Sequence, residues 1–267
     1  MNKRTLLTLA LAAALGIGAA GADSLPLVGD KTGEVAVPYD EEQPDGACFT
    51  YSYVYPAADP EHPDAAIVNT FFDYEISDTV NFRAPMDAEN WAHTGESVRK
   101  SVTYEVTCNR DDYFSVLIRT AETTPEETYV TYAGDTFSRT EKRPGYTTTL
   151  PQILGILDSY ESDTWLQERQ TAKADAYVRA MIWEQIEENP EELPFYDDFT
   201  EEDLEYIFYP EEDFYLDEDG NPVFFLQPGD AAPAEAGLMT FPLTLEDILD
   251  EMSEAGPGPD PQGEPTE

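Results

Sequence analysis

Basic residues are scarce in this chain, and they run out part-way along it. Only 14 of 267 residues are Lys or Arg and two are His, against 56 Asp and Glu, for a formal charge of −42. After Arg179 there is no Lys, Arg or His at all, while those last 88 residues carry 27 acids. This shortage excludes nucleic-acid binding, because phosphate contacts need Lys and Arg. It also excludes docking on anionic lipid. A stretch of one sign cannot neutralise itself by ion pairs. It stays in water, binds cations, or meets a basic partner. A cationic protein or a metal ion is therefore the natural partner. Acidity that only serves solubility, in an acidic proteome or a salty habitat, gives the same composition.

Long apolar runs are also missing. Past the N-terminus no stretch reaches the ~20 residues that a membrane span needs. The one apolar run, Leu6 to Ala19, follows Lys3 and Arg4 and precedes Ala20-Gly21-Ala22. That is a signal-peptide pattern over residues 1–22, with cleavage after Ala22. No Cys stands at the cleavage point, so a lipoprotein anchor is not indicated. The expected location is secreted or on the cell-envelope exterior.

Cysteine and histidine are too few for most site chemistries. The two cysteines, Cys48 and Cys108, do not make a zinc set without nearby His. In an exported chain they are a disulfide candidate, closing a loop of about sixty residues worth ~4 kcal/mol. Two buried thiols are the alternative. His62 and His93 stand in polar loop contexts without triad partners. There is no HExxH, nucleophile elbow or phosphate-gripping Gly-rich loop. No catalytic residue and no cofactor is assigned.

What is present suffices for a core: 41% of residues are hydrophobic and 12% aromatic. Residues 23–46 read as a flexible leader, at most ending in an edge strand. Ala47–Tyr55 alternates, with Phe49, Tyr51, Tyr53 and Tyr55 on one face of a strand. Asp64 caps a helix through Ile67, Val68, Phe71, Phe72 and Ile76. Asn81–Gly95 reads as irregular. Ser97–Cys108 and Tyr113–Thr120 make a hairpin, and Thr128–Ala133 and Thr136–Arg139 are two further strands. Thr148 or Thr149 caps a short helix with Pro151 in its first turn. Ser162–Glu188 is the main helix, with Trp165, Ala172, Ala176, Ala180, Trp183 and Ile186 on its apolar stripe. Thr200 caps a short acidic helix. Phe214–Leu216 and Val223–Leu226 form a hairpin about Asp219-Gly220, followed by a strand at Leu238–Leu243 and a helix capped by Thr244. The predicted class is α+β with two lobes, each an antiparallel sheet packed on one or two helices. The N-terminal lobe covers 47–143, the C-terminal lobe 144–253, and a disordered acidic tail 254–267.

With 56 acids, some pair of carboxylates will fall at glycosidase spacing by chance. A working pair needs one acid buried among apolar groups. Glu105 falls on the polar side of its strand, and Asp213 and Asp217 flank a hairpin, so none stands out. Asp217 and Asp219 are weak metal candidates in the acid-dense run Asp217-Glu218-Asp219-Gly220-Asn221. The twelfth position of a calcium loop is not an acid there, and a hairpin turn explains the same residues.

From Asp213 onward the chain resembles a bacterial extracytoplasmic domain family. The matching residues are Phe214, Tyr215, Asp219, Gly220, Val223, Pro228, Ala232, Pro233, Ala236, Gly237, Phe241 and Pro242. Upstream, TTTLPQILGIL and the segment holding Tyr55, Pro56, Val68 and Asn69 are similar to the family pattern. The family forms the outer, lysozyme-sensing part of RsiV-type anti-sigma factors and an N-terminal region of PdaC-type peptidoglycan deacetylases. The resemblance spans about 47–252. It departs where TAETTPEETYVTYAGDTF lacks the family's Gly-Gly-Ala-His stretch, and where Gly229 replaces a Tyr. Neither a sigma-binding segment nor a deacetylase domain is expected within these 267 residues. The resemblance implies a non-catalytic binding module engaging a cationic wall-active protein such as lysozyme, or peptidoglycan. The competing readings are a cell-wall glycan enzyme with a carboxylate pair, and an acidic envelope protein with a divalent-cation site.

Overall fold

The computed structural model describes residues 24–40, 42–43, 45–156, 164–188 and 195–254. The proposed signal peptide and residues 255–267 of the proposed tail lie outside them. The chain is α+β and divides into two compact units: residues up to Thr148 with Tyr215–Gly220, and Thr149–Phe214 with residues from Asn221 on. The break expected after residue 143 therefore falls a few residues later. The hairpin segment 215–220 belongs to the first unit.

The first unit is built on a five-stranded sheet in the order β1-β2-β3-β4-β5. Its strands are β1 (Leu27–Pro38), β2 (Cys48–Ala58), β3 (Val98–Asn109), β4 (Tyr113–Thr123) and β5 (Thr128–Ser138). The leader is not flexible over Leu27–Pro38. It pairs antiparallel with the whole of β2, Val35 opposite Tyr51 and Val37 opposite Phe49. Its local pattern is weak because two glycines and a lysine interrupt the alternation, and the ladder with β2 overrides that. Gly33 faces Tyr53, whose ring occupies the space that a Cβ would need.

The sheet is mixed, not antiparallel. β2 and β3 run parallel, Phe49 opposite Val98. The physical reason is the helical crossover between them, which returns the chain to the same end of the sheet. That crossover holds α1 (Ala65–Asp78), a π-turn (Thr79–Arg83), α2 (Ala84–Trp91) and a 3₁₀ turn (Ala92–Thr94). Asn81–Gly95 is thus mostly helical rather than irregular. Pro85 cannot donate to the carbonyl four residues back. The widened turn before it, closed by the Ala84 N–H on the Thr79 carbonyl, absorbs that loss.

β3 and β4 form the expected hairpin, with a bulge between Val106 and Cys108. β5 is one strand where two were expected. Gly134 and Asp135, poor strand formers, are held by an unbroken ladder opposite Leu117 and Val116. α1 buries Ile67, Val68 and Phe72. The Phe72 ring lies 4.9 Å from Tyr55 and 5.9 Å from Phe137, and Phe71 meets Phe137 edge-on at 5.2 Å. Each fully buried ring contributes roughly 1.5–3 kcal/mol. Asp64 stands at the N-cap of α1, but its side chain makes no cap bond. The carboxylate instead meets Arg139 at 3.2 Å and Lys142 at 2.8 Å.

The second unit contains α3 (Leu150–Ile153), α4 (Thr164–Glu188), α5 (Glu201–Ile207), β7 (Pro222–Leu226), β8 (Met239–Pro242) and α6 (Leu245–Glu254). With β6 (Phe214–Leu216), β7 and β8 form a three-stranded antiparallel sheet in the order β6-β7-β8, Val223 opposite Pro242. Thr149 and Thr200 head reciprocal caps, in which Gln152 and Asp203 accept the backbone N–H of each Thr at 2.9 and 2.8 Å. The α4 stripe is rotated from the expected one. Ala174, Val178, Ile182 and Ile186 are buried, while Ala172, Ala176 and Ala180 are exposed. Branched apolar side chains remove more area from water than alanine does, so they set the buried face. The side chain of Trp165 lies outside the described set. Ile248 buries the inner side of α6.

Candidate functional site

The first unit contains a cleft of about 480 Å³ on the helix-bearing face of its sheet. This is within the roughly 300–1,000 Å³ of small-ligand sites. Strand register decides which side chains reach it. Tyr51 pairs with Lys100, Lys100 with Glu122, Val102 with Thr120, Thr120 with Thr131, Ile118 with Ala133 and Val116 with Asp135. Directly paired residues share a face. The floor is therefore made by Tyr51 and Tyr55 of β2, Lys100 and Val102 of β3, Ile118 and Thr120 of β4, and Thr131, Ala133 and Asp135 of β5. Thr120, Thr131 and Ala133 are small, which leaves space beneath the helices. Phe71 and Glu75 of α1, Thr79 and Arg83 of the π-turn and Asp87 of α2 complete the walls.

Both cations of the cleft are engaged. Arg83 meets Glu75 at 3.2 Å and Asp78 at 2.5 Å. Lys100 meets Asp87 at 2.9 Å and Glu122 at 3.5 Å. Burial works against the charge on each, but the facing carboxylates outweigh it and raise both pKa values. The Tyr51 and Tyr55 hydroxyls lie 3.2 Å apart, and burial raises both of their pKa values.

Asp135 differs from the other acids of the cleft. It is half-buried, and no hydrogen bond or ion pair to its carboxyl occurs among the described residues. Burial, with the negative field of Glu75 second, pushes its pKa up to about 7. The cleft thus offers one carboxyl poised near neutrality, a second held by Arg83, two phenol hydroxyls, and aromatic faces. Chemically this can accept a hydroxyl or a cation, or exchange a proton.

The residues singled out in the sequence lie elsewhere. Cys48 and Cys108 are both free thiols. The parallel register puts Cys48 beside Ser97, eleven residues along β3 from Cys108, with the Cys48 N–H on the Ser97 hydroxyl at 3.3 Å. At ~3.3 Å per residue the two are roughly 35 Å apart, and a disulfide needs Cα atoms within about 7 Å. The disulfide expectation is therefore overturned. Burial pushes the Cys108 thiol up to about 12.

Asp217 and Asp219 form a hairpin turn, the Asp219 N–H on Asp217 Oδ1 at 2.9 Å. The Arg110 guanidinium donates to the Asp219 carbonyl at 2.7 Å, placing a cation where a metal candidate was considered. No group of three or more metal-ligating side chains occurs among the described residues. Glu105 is exposed, and Asp213 accepts the Tyr209 N–H at 2.7 Å. His62 Nδ1 accepts the Asp64 N–H at 3.2 Å, and His93 Nδ1 lies 2.7 Å from the Asn90 carbonyl. Neither histidine lines the cleft.

Sequence reasoning missed Asp135, Glu75, Arg83 and Lys100. One signal existed for Asp135: it has the same strand parity as Phe137, a core residue, and so sits on the inward face.

The fold and cleft define an α+β protein of two units, the first with a polar, aromatic-lined cleft. Residues 167–246 match the family model DUF3298, described as a protein of unknown function. The cleft residues lie outside that stretch. Two solved structures are similar. A DUF3298 family member from Bacteroides fragilis is 15% identical with a TM-score of 0.47, the match covering 87% of this chain and 100% of that one. A DUF3298 family protein from Pseudomonas aeruginosa is 13% identical with a TM-score of 0.47, covering 86% and 95%. No curated protein matches the chain. Among the described residues no helix is long and apolar enough to cross a membrane.

Proposed function

We propose that this chain is a non-catalytic binding module, secreted or held on the envelope exterior, that takes a polar ligand in the cleft of its first unit. The single observation that carries this reading is the cleft itself. It has ligand-site volume, aromatic walls and a donor-free carboxyl. The partner is a cationic wall-active protein of the lysozyme kind, with peptidoglycan as the alternative. Support for the cationic partner comes from the charge of −42, which steers basic molecules inward from a distance. Binding of lysozyme and of soluble peptidoglycan fragments at low and high salt tests it. Capture at low salt that weakens steeply as salt rises supports a cationic partner. Absence of binding to both at low salt refutes the module reading.

One observation favours a second reading, hydrolysis of wall glycan by a carboxylate pair. Asp135, its pKa pushed up to about 7, is suited to act as general acid, and Glu75, in contact with Arg83, as its partner. Release of reducing ends from peptidoglycan, abolished by Asp135→Asn, would establish it. No release above buffer background would remove it.

A further inference from the structure

Every cation that lines the cleft already faces carboxylates. Arg83 lies against Glu75 and Asp78, and Lys100 against Asp87 and Glu122. Asp135 has no such counterpart: no donor among the described residues reaches it. A half-buried carboxyl with no protein donor is less well stabilised when ionised than a paired one, and a positive group brought by a ligand would pair with it. The same space is walled by the rings of Tyr51, Tyr55 and Phe71, whose faces attract cations. The hydroxyls of Tyr51 and Tyr55 add acceptors beside it.

We infer that the cleft recognises an alkylammonium group, a lysine side chain of a basic protein, with its ε-ammonium on Asp135 and its aliphatic stem against the aromatic wall. This rests on the reading that the cleft binds a ligand. A guanidinium, whose planar fork pairs bidentately with a carboxylate, is the competing cation, and tighter binding of Nα-acetyl-arginine methylamide than of the lysine amide would overturn the lysine assignment. The lysine source is favoured over an amino sugar by the charge of −42, whose field gathers polycations but does little for a monovalent sugar.

The groups facing Asp135 set a pH dependence. Glu75 comes from α1, Arg83 from the π-turn, Asp87 from α2, Lys100 from β3, and the Tyr51 and Tyr55 hydroxyls from β2. The first four are matched among themselves or with Asp78 and Glu122, and both phenols stay neutral across the working range. Asp135 is therefore the group that titrates, and the ammonium prefers its ionised form. Binding should weaken as pH falls below about 7.

The test is an NMR titration of the full chain, following the Asp135 carboxyl and the Tyr51 and Tyr55 rings. The probes are Nα-acetyl-lysine methylamide, its Nε-acetylated form, Nα-acetyl-arginine methylamide, glucosamine, and an N-acetylated peptidoglycan disaccharide. We expect saturable shifts with the lysine amide, weaker by at least about tenfold on Nε-acetylation or in Asp135→Asn, the size of a charge-assisted contact. We also expect weaker binding at pH 5.5 than at pH 8. Equal affinity of the two lysine forms, or affinity unchanged in Asp135→Asn, overturns the inference. Tighter binding of glucosamine than of the lysine amide overturns the lysine source. Shifts from the neutral disaccharide alone leave the cleft a ligand site and overturn the ammonium assignment. Silence from all five probes overturns the cleft reading with it.

Discussion

Replacing Asp135 with Asn removes the charge while keeping the shape of the side chain. In the folded protein Asp135 titrates at about 7 instead of the ordinary 3.8, because burial and then Glu75 oppose its ionised form. In the unfolded chain it titrates near the ordinary value. Between these limits the folded state holds a proton that the unfolded state has lost. Stability therefore falls as pH rises through the window from about 4 to about 7, and the whole penalty is present above it. At 1.36 kcal/mol per unit, the full penalty is roughly 4 kcal/mol, of which about 2–3 kcal/mol accrues between pH 5 and pH 8. Asn carries no such penalty. The stability of Asp135→Asn relative to the unsubstituted protein should thus improve by about 2–3 kcal/mol on going from pH 5 to pH 8. Urea unfolding at both pH values, followed by hydrogen exchange of β4 and β5 amides so that the first unit is read by itself, measures this. A stability difference that does not change between pH 5 and pH 8 refutes the reasoning.

Three other outcomes follow from packed charges and thiols. Arg139→Met removes a buried guanidinium from Asp64, whose carboxyl burial would raise but Lys142 and Arg139 hold low; a loss of about 3 kcal/mol is expected in thermal melts. Lys100→Met leaves Asp87 and Glu122 without a shared cation and should cost about 1–2 kcal/mol in urea unfolding at pH 8. Two thiols should react with a thiol reagent in denaturant, while native Cys108, buried and raised to about 12, stays unmodified; a non-reducing peptide map joining Cys48 to Cys108 would contradict this.

Much of the fold could be read locally. The β3–β4 hairpin, the Thr149 and Thr200 caps, the Asp219-Gly220 turn and the final helix each depend on residues within a few positions of one another. Errors arose where a distant partner decided the outcome. β1 is a strand because β2 supplies its ladder. Gly134 and Asp135 stay in β5 because β4 holds them. The buried face of α4 passes through Val178 and Ile182 rather than the alanines, since packing selects the larger apolar groups. Asp64 looked like a cap, but Arg139, 75 residues away, takes its carboxylate. The cleft was legible only as strand parity at Asp135. Its other charged residues come from four helical or strand segments whose meeting no local pattern encodes.

The amino-acid sequence by itself determined the charge imbalance, the α+β class and the turns and caps, because these depend on composition and on neighbours along the chain. Only the tertiary structure decided that Cys48 and Cys108 stand far apart, since a parallel register separates residues that an antiparallel one could bring together. It alone set Asp135 apart from the other acids of the cleft. A carboxyl becomes distinctive through what surrounds it, and Asp135 is surrounded by a sheet floor, a helical wall and Glu75, with no cation of its own.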